Sequence, residues 1–401
     1  MNLLSGYPFF LIKGGLPFNY PSLERSLKTD VAIIGGGISG ALMGYYLTTA
    51  GIGTVIADAR TIGLGSTCAS TSLLQYEIDT PLSELKEMIG IKNAALAYKL
   101  CEAAIEKLSA IAKKIKFNDF EFKESLYYAA YAKDTKFLRN EFIIRKKNGF
   151  NVSYLKSDDI KEAYGFSAPG AILSKAGAQT NAYEITHALL QFAKVKGLQV
   201  YDRTFITNIE HKSKSVILTS EKGFTITAKK LVYANGYEAI KYIDKKIVKL
   251  QSTYATVSEQ YDKETKFWKN NSLIWNTADP YLYMRTTKDR RIIIGGRDED
   301  FYDAIKRDKL IERKTGLLVK DFKKLFQNIN FKSEFNWTGT FGSTKDGLPY
   351  IDSYKKLPNS FFALGFGGNG ITFSLIAAEI ITDILTKNKK PQKNIFTFDR
   401  I

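Results

Sequence analysis

Apolar and polar positions along the chain fall into a few strongly patterned segments. Val31-Ala32-Ile33-Ile34 is a short apolar run, entered from polar Lys28-Thr29-Asp30, and predicts a buried strand. From Ile38 the pattern turns helical through ISGALMGYYLTTA and stops at Gly51, a natural helix end. A second apolar run, Thr54 to Ala57, predicts another strand. Further on, ALAYKLCEAAIEKLSAIAKKI reads as a long amphipathic helix. VILTSEKGFTITAKKLVYANG reads as two strands joined by a tight turn at Glu221-Lys222-Gly223. Near the end, Ser360 to Leu364 predicts a strand, and the stretch from Ile371 to about Leu385 a helix.

Glycines concentrate where strand passes into helix. Gly35-Gly36-Gly37-Ile38-Ser39-Gly40 separates the first strand from its helix, and Asp58 follows the second strand. This is the dinucleotide-binding fingerprint in its required context. Gly35 permits the sharp turn, and Gly37 lets a pyrophosphate reach bare backbone. Gly40 and Gly44 let the helix lie close on the sheet. The helix start offers N–H donors and a positive dipole end to phosphates, and Asp58 can accept from a ribose. Two more glycine-dense loops follow, Gly63-Leu64-Gly65-Ser66-Thr67 and Gly365-Phe366-Gly367-Gly368-Asn369-Gly370. The first can run beside an extended cofactor, and the second aims another helix start at a ligand.

Composition changes this picture little. The 401 residues allow two domains, and 44% hydrophobic with 25% charged residues is ordinary for a soluble globular chain. No run of eighteen uninterrupted apolar residues occurs, so no membrane span is expected. The segment MNLLSGYPFFLIKGGLPF lacks the build of a signal peptide and reads as an arm packed on the body. Cys68 and Cys101 make no disulfide framework, which fits a reducing cytoplasm. With only His187 and His211, no His/Cys metal cluster is expected. His187 reads as packed, His211 as surface and Cys101 as core. The net charge of +17 is unusual. Its lysines are scattered, with short clusters at Arg145-Lys146-Lys147 and in the tail at 387–393. That reads as a solvated surface rather than a nucleic-acid face.

The chain resembles the D-amino-acid-oxidase-like superfamily of FAD enzymes, which includes sarcosine oxidase and glycine oxidase. The residues that carry the resemblance begin with GGGISG at 35–40, Asp58, GLGST at 63–67 and Gly177-Ala178-Gln179-Thr180-Asn181. They continue with LVYANGY at 231–237, YLYMR at 281–285, IIIGGRD at 292–298, TKDGLP at 344–349 and GFGGNG at 365–370. Among branches of the superfamily it most resembles the one containing γ-glutamylputrescine oxidoreductase. The resemblance implies an α/β fold (α+β overall), with a Rossmann-type FAD-binding domain interleaved with a mixed-sheet substrate domain. The FAD domain would use 1–98, 165–240 and 345–401, and the substrate domain 99–164 and 241–344. FAD would be held by Gly35, Gly37, Ile38, Ser39, Gly40, Asp58, Ala59 and Arg60 at the fingerprint, and by Gly65, Ser66 and Thr67 in the next loop. Ile206, Ala234, Asn235 and Gly236 would add to this, as would Gly367, Gly368, Asn369, Gly370, Ile371 and Thr372 at the last turn.

The implied activity is hydride transfer from an amine to the flavin, giving an imine that water hydrolyses, with O2 or another electron acceptor. This chain departs from the amino-acid-oxidising members at three cation positions, where Gln75, Phe341 and Thr372 stand. A simple α-amino acid is therefore disfavoured, and a small amine, such as a polyamine derivative, is preferred. Arg285 and Arg297 are candidates to substitute. Strand alternation puts Tyr281, Tyr283 and Arg285 on one face, which lines a cavity or is a half-exposed sheet surface. With Asn369 and Thr372 they form the candidate catalytic set. Ile293 stands where a lysine assists reaction with O2 in sarcosine oxidase, so a dehydrogenase is as reasonable as an oxidase. The family's covalent flavin anchors fall near Gly339 and Ala69, so FAD is expected to be non-covalent. Two other functions stay open: a flavoenzyme modifying a tRNA wobble uridine, and a flavin-binding subunit without catalysis.

Overall fold

The computed structural model describes residues 1–387 and 395–400. Strand Leu27–Ile34 is buried from Val31 onward and lies at the heart of one sheet. It pairs in parallel with Thr54–Ala57 on one side and Thr225–Tyr233 on the other. Gln199–Tyr201 extends the sheet beyond Thr54–Ala57, and Ser360–Leu364 joins Thr225–Tyr233 in parallel. The hairpin expected at Glu221-Lys222-Gly223 forms between Val216–Ser220 and Thr225–Tyr233. Three helices cover one face: Ile38–Thr49, Ala182–Val195 and Gly370–Lys387.

A second, nine-stranded sheet begins with Leu4–Gly6 of the amino-terminal arm, followed by Ser333–Ser343 and Lys249–Ser258. It continues through Ile292–Glu299, Leu282–Thr286, Leu273–Asn276, Ser125–Tyr128, Gly170–Ser174 and Val152–Lys156. Apolar side chains on this sheet form a separate core with the helix Ile311–Leu325. Gly170–Ser174 and Leu4–Gly6 pair here, so we propose moving those residues out of the dinucleotide-binding unit and keeping the other boundaries.

The long amphipathic helix runs Ile91–Lys114 and buries Cys101 in the main core. Residues Gly367–Thr386 are long and apolar enough to cross a membrane, but most of that stretch is buried against the rest of the chain. Arg145, grouped by its sequence with surface lysines, is completely buried. Its guanidinium is drawn in by Glu141 and Glu77. The lysine-rich tail at 388–393 lies outside the described residues.

Candidate active site

The parallel strands Leu27–Ile34, Thr54–Ala57 and Thr225–Tyr233 end side by side, and a cavity of about 1010 Å³ opens at those ends. Such carboxyl-terminal edges are where open α/β sheets take ligands. The floor holds Gly35, Gly37, Ile38, Ser39, Asp58, Ala59, Arg60, Gly65, Ser66 and Thr67. Ile206, Ala234, Asn235 and Gly236 form one side, and Gly367 to Thr372 another. The nine-stranded sheet roofs it with Thr253, Tyr281, Tyr283, Gly339 and Phe341.

The glycines are there because backbone meets backbone. Gly35 has φ +110°, and a Cβ on it would stand 2.5 Å from the carbonyl oxygen of Ala234. Gly40 is absent from the cavity wall, since it lies beneath, where a Cβ would stand 1.9 Å from the oxygen of Gly35. Asp58 accepts from the backbone N–H of Gly36 at 2.6 Å and of Arg60 at 2.8 Å. Burial pushes its carboxyl up, against the pull of those two donors. The Arg60 guanidinium donates to both carboxylate oxygens of Glu238.

Two of the expected cofactor residues also make contacts within the protein. Thr67 accepts the N–H of Ile38 at 3.0 Å, tying the second glycine loop to the start of the fingerprint helix. The Ser39 hydroxyl lies 2.7 Å from that of Ser374, joining that helix to Gly370–Lys387. By contrast, the buried Oγ of Ser66 and Oδ1 of Asn235 have no partner among the described residues. Two orphaned polar atoms on a glycine-lined wall are what a long polar cofactor would satisfy.

Tyr281 and Tyr283 face the cavity with ring centroids 5.7 Å apart. Arg285 does not join them. Strand alternation does put it on their face of the sheet, but the arm and the segment at 70–72 cover that end. Its guanidinium donates to the carbonyls of Ser72 and Thr180 at 3.0 Å and lies 5.3 Å from the ring centre of Phe10. Arg297 turns to Asp321 at 2.7 Å. Ile293 is buried in a cluster with Phe9, Phe10 and Trp337, beneath the arm rather than on the cavity wall. Asn369 donates to the carbonyls of Gln75 and Glu77 at 3.0 and 2.8 Å, and the Thr372 hydroxyl donates to the carbonyl of Asn369. We assign both to positioning the last glycine turn.

Gln75, Phe341 and Thr372, the three neutral replacements, all line the cavity. His187 packs in the helix Ala182–Val195 with Nδ1 3.1 Å from the Tyr20 hydroxyl, and burial pushes its pKa down to about 4. Asp298, which ends the IIIGGRD motif, is not among the residues lining the cavity; burial pushes its carboxyl up to about 7. Sequence reasoning missed Glu77 and Asp79, which line the cavity. The available signal was two carboxylates at alternate positions just after the second glycine loop.

A family model for FAD dependent oxidoreductases (DAO) matches residues 30–384. The chain belongs to that family. It is accordingly an FAD-dependent oxidoreductase, and the glycine cradle and orphaned polar atoms fit that cofactor. Gamma-glutamylputrescine oxidoreductase of Escherichia coli (strain K12) is 23% identical over 375 residues, covering 91% of this chain and 85% of that protein. The structure of glycine oxidase from Geobacillus kaustophilus superposes with a TM-score of 0.76 at 19% identity, covering 93% of this chain and 99% of that one. L-proline dehydrogenase from P. horikoshii superposes with the same TM-score of 0.76 at 18% identity, covering 91% and 95%. At these identities the superpositions establish the fold.

Gly339 and Ala69 face each other across the cavity wall. A Cβ on Gly339 would stand 3.7 Å from that of Ala69. Neither carries a nucleophile. Cys68 next door is buried, its Sγ donates to the carbonyl of Gly65, and burial pushes its thiol up to about 12. We therefore expect acid precipitation to leave the yellow colour in the supernatant; colour retained in the pellet would contradict a non-covalent cofactor.

Proposed function

We propose that this enzyme oxidises the C–N bond of a small amine that is not a simple α-amino acid. One observation carries the reading: Gln75, Phe341 and Thr372 put uncharged side chains on the cavity wall at the three positions where, by the resemblance, amino-acid-oxidising members place cations. A substrate carboxylate enclosed there without a paired cation would cost several kcal/mol. Arg285 and Arg297 offer no substitute, since both are committed elsewhere. Bound FAD supplies a two-electron acceptor for the hydride leaving the carbon next to nitrogen. The chain would hold it with Gly35, Gly37, Ser66, Asn235 and the turn at 367–370. Tyr281 and Tyr283 orient the neutral amine from the roof and narrow the access of water. The substrate loses two electrons and two protons, and water converts the imine product to a carbonyl compound and an amine or ammonia.

The test is an anaerobic panel of amines and amino acids scored by bleaching of the flavin absorbance. Primary or secondary amines should bleach it fastest, and a panel led by glycine or another α-amino acid would overturn the reading. The lysines on the described cavity wall are Lys133 and Lys241, and the roof residues Thr253, Tyr281, Tyr283, Gly339 and Phe341 are uncharged. Reoxidation in air is therefore expected to be slower than reduction by the best amine, as stopped-flow traces would show. A cytoplasmic location fits two free, buried thiols.

A further inference from the structure

We propose that the substrate carries a second positive charge: the cavity takes a linear diamine, oxidises one amine and holds the other as an ammonium against Asp79. This rests on the amine-oxidation reading above and names its substrate class.

The charge on the substrate side of the cavity opposes that of the whole chain. Although the protein carries a net +17, this wall presents Glu77, Asp79, Glu84, Asp134 and Asp279 with Lys133, while Lys241 and the Glu238-paired Arg60 are the other cationic side chains lining the cavity. Lys133 is exposed and sits 5.5 Å over the ring of Tyr131, itself on the outer surface. The wall therefore attracts cations into the cavity and repels a free carboxylate.

Asp79 is the best-formed receptor on that wall. Its Oδ2 accepts the N–H of Gly368 at 2.9 Å, which fixes the side chain against the last glycine turn. Its Oδ1 has no hydrogen-bond partner among the described residues. Both Oδ1 and the Tyr281 hydroxyl crowd the Cβ position of Gly368, at 2.6 and 3.6 Å. The charge of Asp79 is felt by Tyr281 and by Tyr237, which also lines the cavity. A carboxylate edged by phenol rings is the arrangement that holds an alkylammonium group, by ion pairing and by cation–π attraction together.

Glu77 adds an independent observation. It lines the cavity, is only 4% exposed, and its Oε2 has no partner among the described residues. Its other oxygen is occupied by Ser174 at 2.8 Å and Arg145 at 3.3 Å. A carboxylate that lines the cavity and keeps one oxygen without a donor adds an unmatched acceptor behind that wall.

The experiment compares two ligands on the FAD-loaded protein that differ by one nitrogen, butane-1,4-diamine and butylamine. Anaerobic bleaching should show an apparent affinity about tenfold better for the diamine, in the range of a cation held by carboxylate and aromatic groups together. Asp79→Asn, which keeps an acceptor for Gly368, should shrink that advantage to about threefold or less. Calorimetry with the non-oxidisable bis(trimethylammonium)butane should show binding that weakens in the variant and with added salt. Equal response to the two amines, or an undiminished preference in Asp79→Asn, would overturn the proposal. If Asp79→Asn takes up no FAD, Glu84→Gln and Asp279→Asn provide the same comparison. If no amine bleaches the flavin, the oxidation reading fails, and dication binding in the calorimeter still decides this inference.

Discussion

Gly40→Ala should purify colourless, or bind FAD about 100-fold more weakly, a loss of about 2.7 kcal/mol. The added methyl would lie 1.9 Å from the carbonyl oxygen of Gly35. Both partners are backbone, so no side chain can rotate away, and the helix Ile38–Thr49 must lift from the sheet. Lifting it moves Gly37, Ile38 and Ser39 together on the cavity floor, and strains the Ser39–Ser374 contact at 2.7 Å. Overpacking of this kind typically costs about 1–3 kcal/mol, more when backbone must yield. Gly44→Ala is the control on the same helix. There the methyl would meet Ile56 Cδ1 and Leu198 Cδ2, each at 3.1 Å, and both are tips of side chains that can shift. FAD content per protein and fluorescence titration of both variants read the difference. Gly40→Ala with native flavin content would show that the close approach is not needed.

That contrast also shows how far the sequence could be read. The spacing of Gly35, Gly37 and Gly40 between two apolar runs implied the turn and the helix, because few other backbones tolerate that sequence. The strand at Ser360–Leu364 and the helix after it were legible for the same reason. Strand alternation put Tyr281, Tyr283 and Arg285 on one face without deciding whether that face lines a cavity. The tyrosines line it and Arg285 does not, because period two gives the face of a sheet but not what packs on it, and Phe10 comes from 275 residues away. Thr67 and Ser39 illustrate the same limit. Their hydroxyls tie the fingerprint helix to segments that adjoin it only after folding, and a short polar side chain beside a glycine-rich turn looks equally ready for a ligand. Asp79 had a weak local signal, while its meaning depends on Tyr281 and Gly368, both about 200 or more residues later.

Arg145 is the extreme case of such long-range dependence, and its replacement should have the largest effect on stability. The side chain is fully buried, with Nε donating to Glu141 at 2.7 Å and a guanidinium nitrogen to Glu77 at 3.3 Å. The rings of Tyr76, Tyr98 and Tyr127 stand 5.7–5.8 Å from the guanidinium carbon. Glu141 in turn accepts from the backbone N–H groups of Leu82 and Ser83, at the start of the helix Leu82–Ile89. Burial pushes the Glu141 carboxyl up, but Arg145 and Ser83 outweigh it and hold its pKa below the ordinary value. For Glu77 burial prevails over Arg145, and its pKa lies above it. Arg145→Met keeps the volume and strands both carboxylates, so it should cost about 3–5 kcal/mol, seen as a lower thermal midpoint at neutral pH. Without the guanidinium both folded-state pKa values rise above the unfolded one. The penalty is then full at neutral pH and shrinks as the pH falls through those raised values, because each carboxyl takes up a proton. Arg145→Met with Glu141→Gln should recover part of the loss, since the glutamine oxygen still accepts from Leu82 and Ser83 and one stranded charge is gone. A penalty independent of pH, or no recovery in the double variant, would assign the effect to lost packing among the three tyrosines instead.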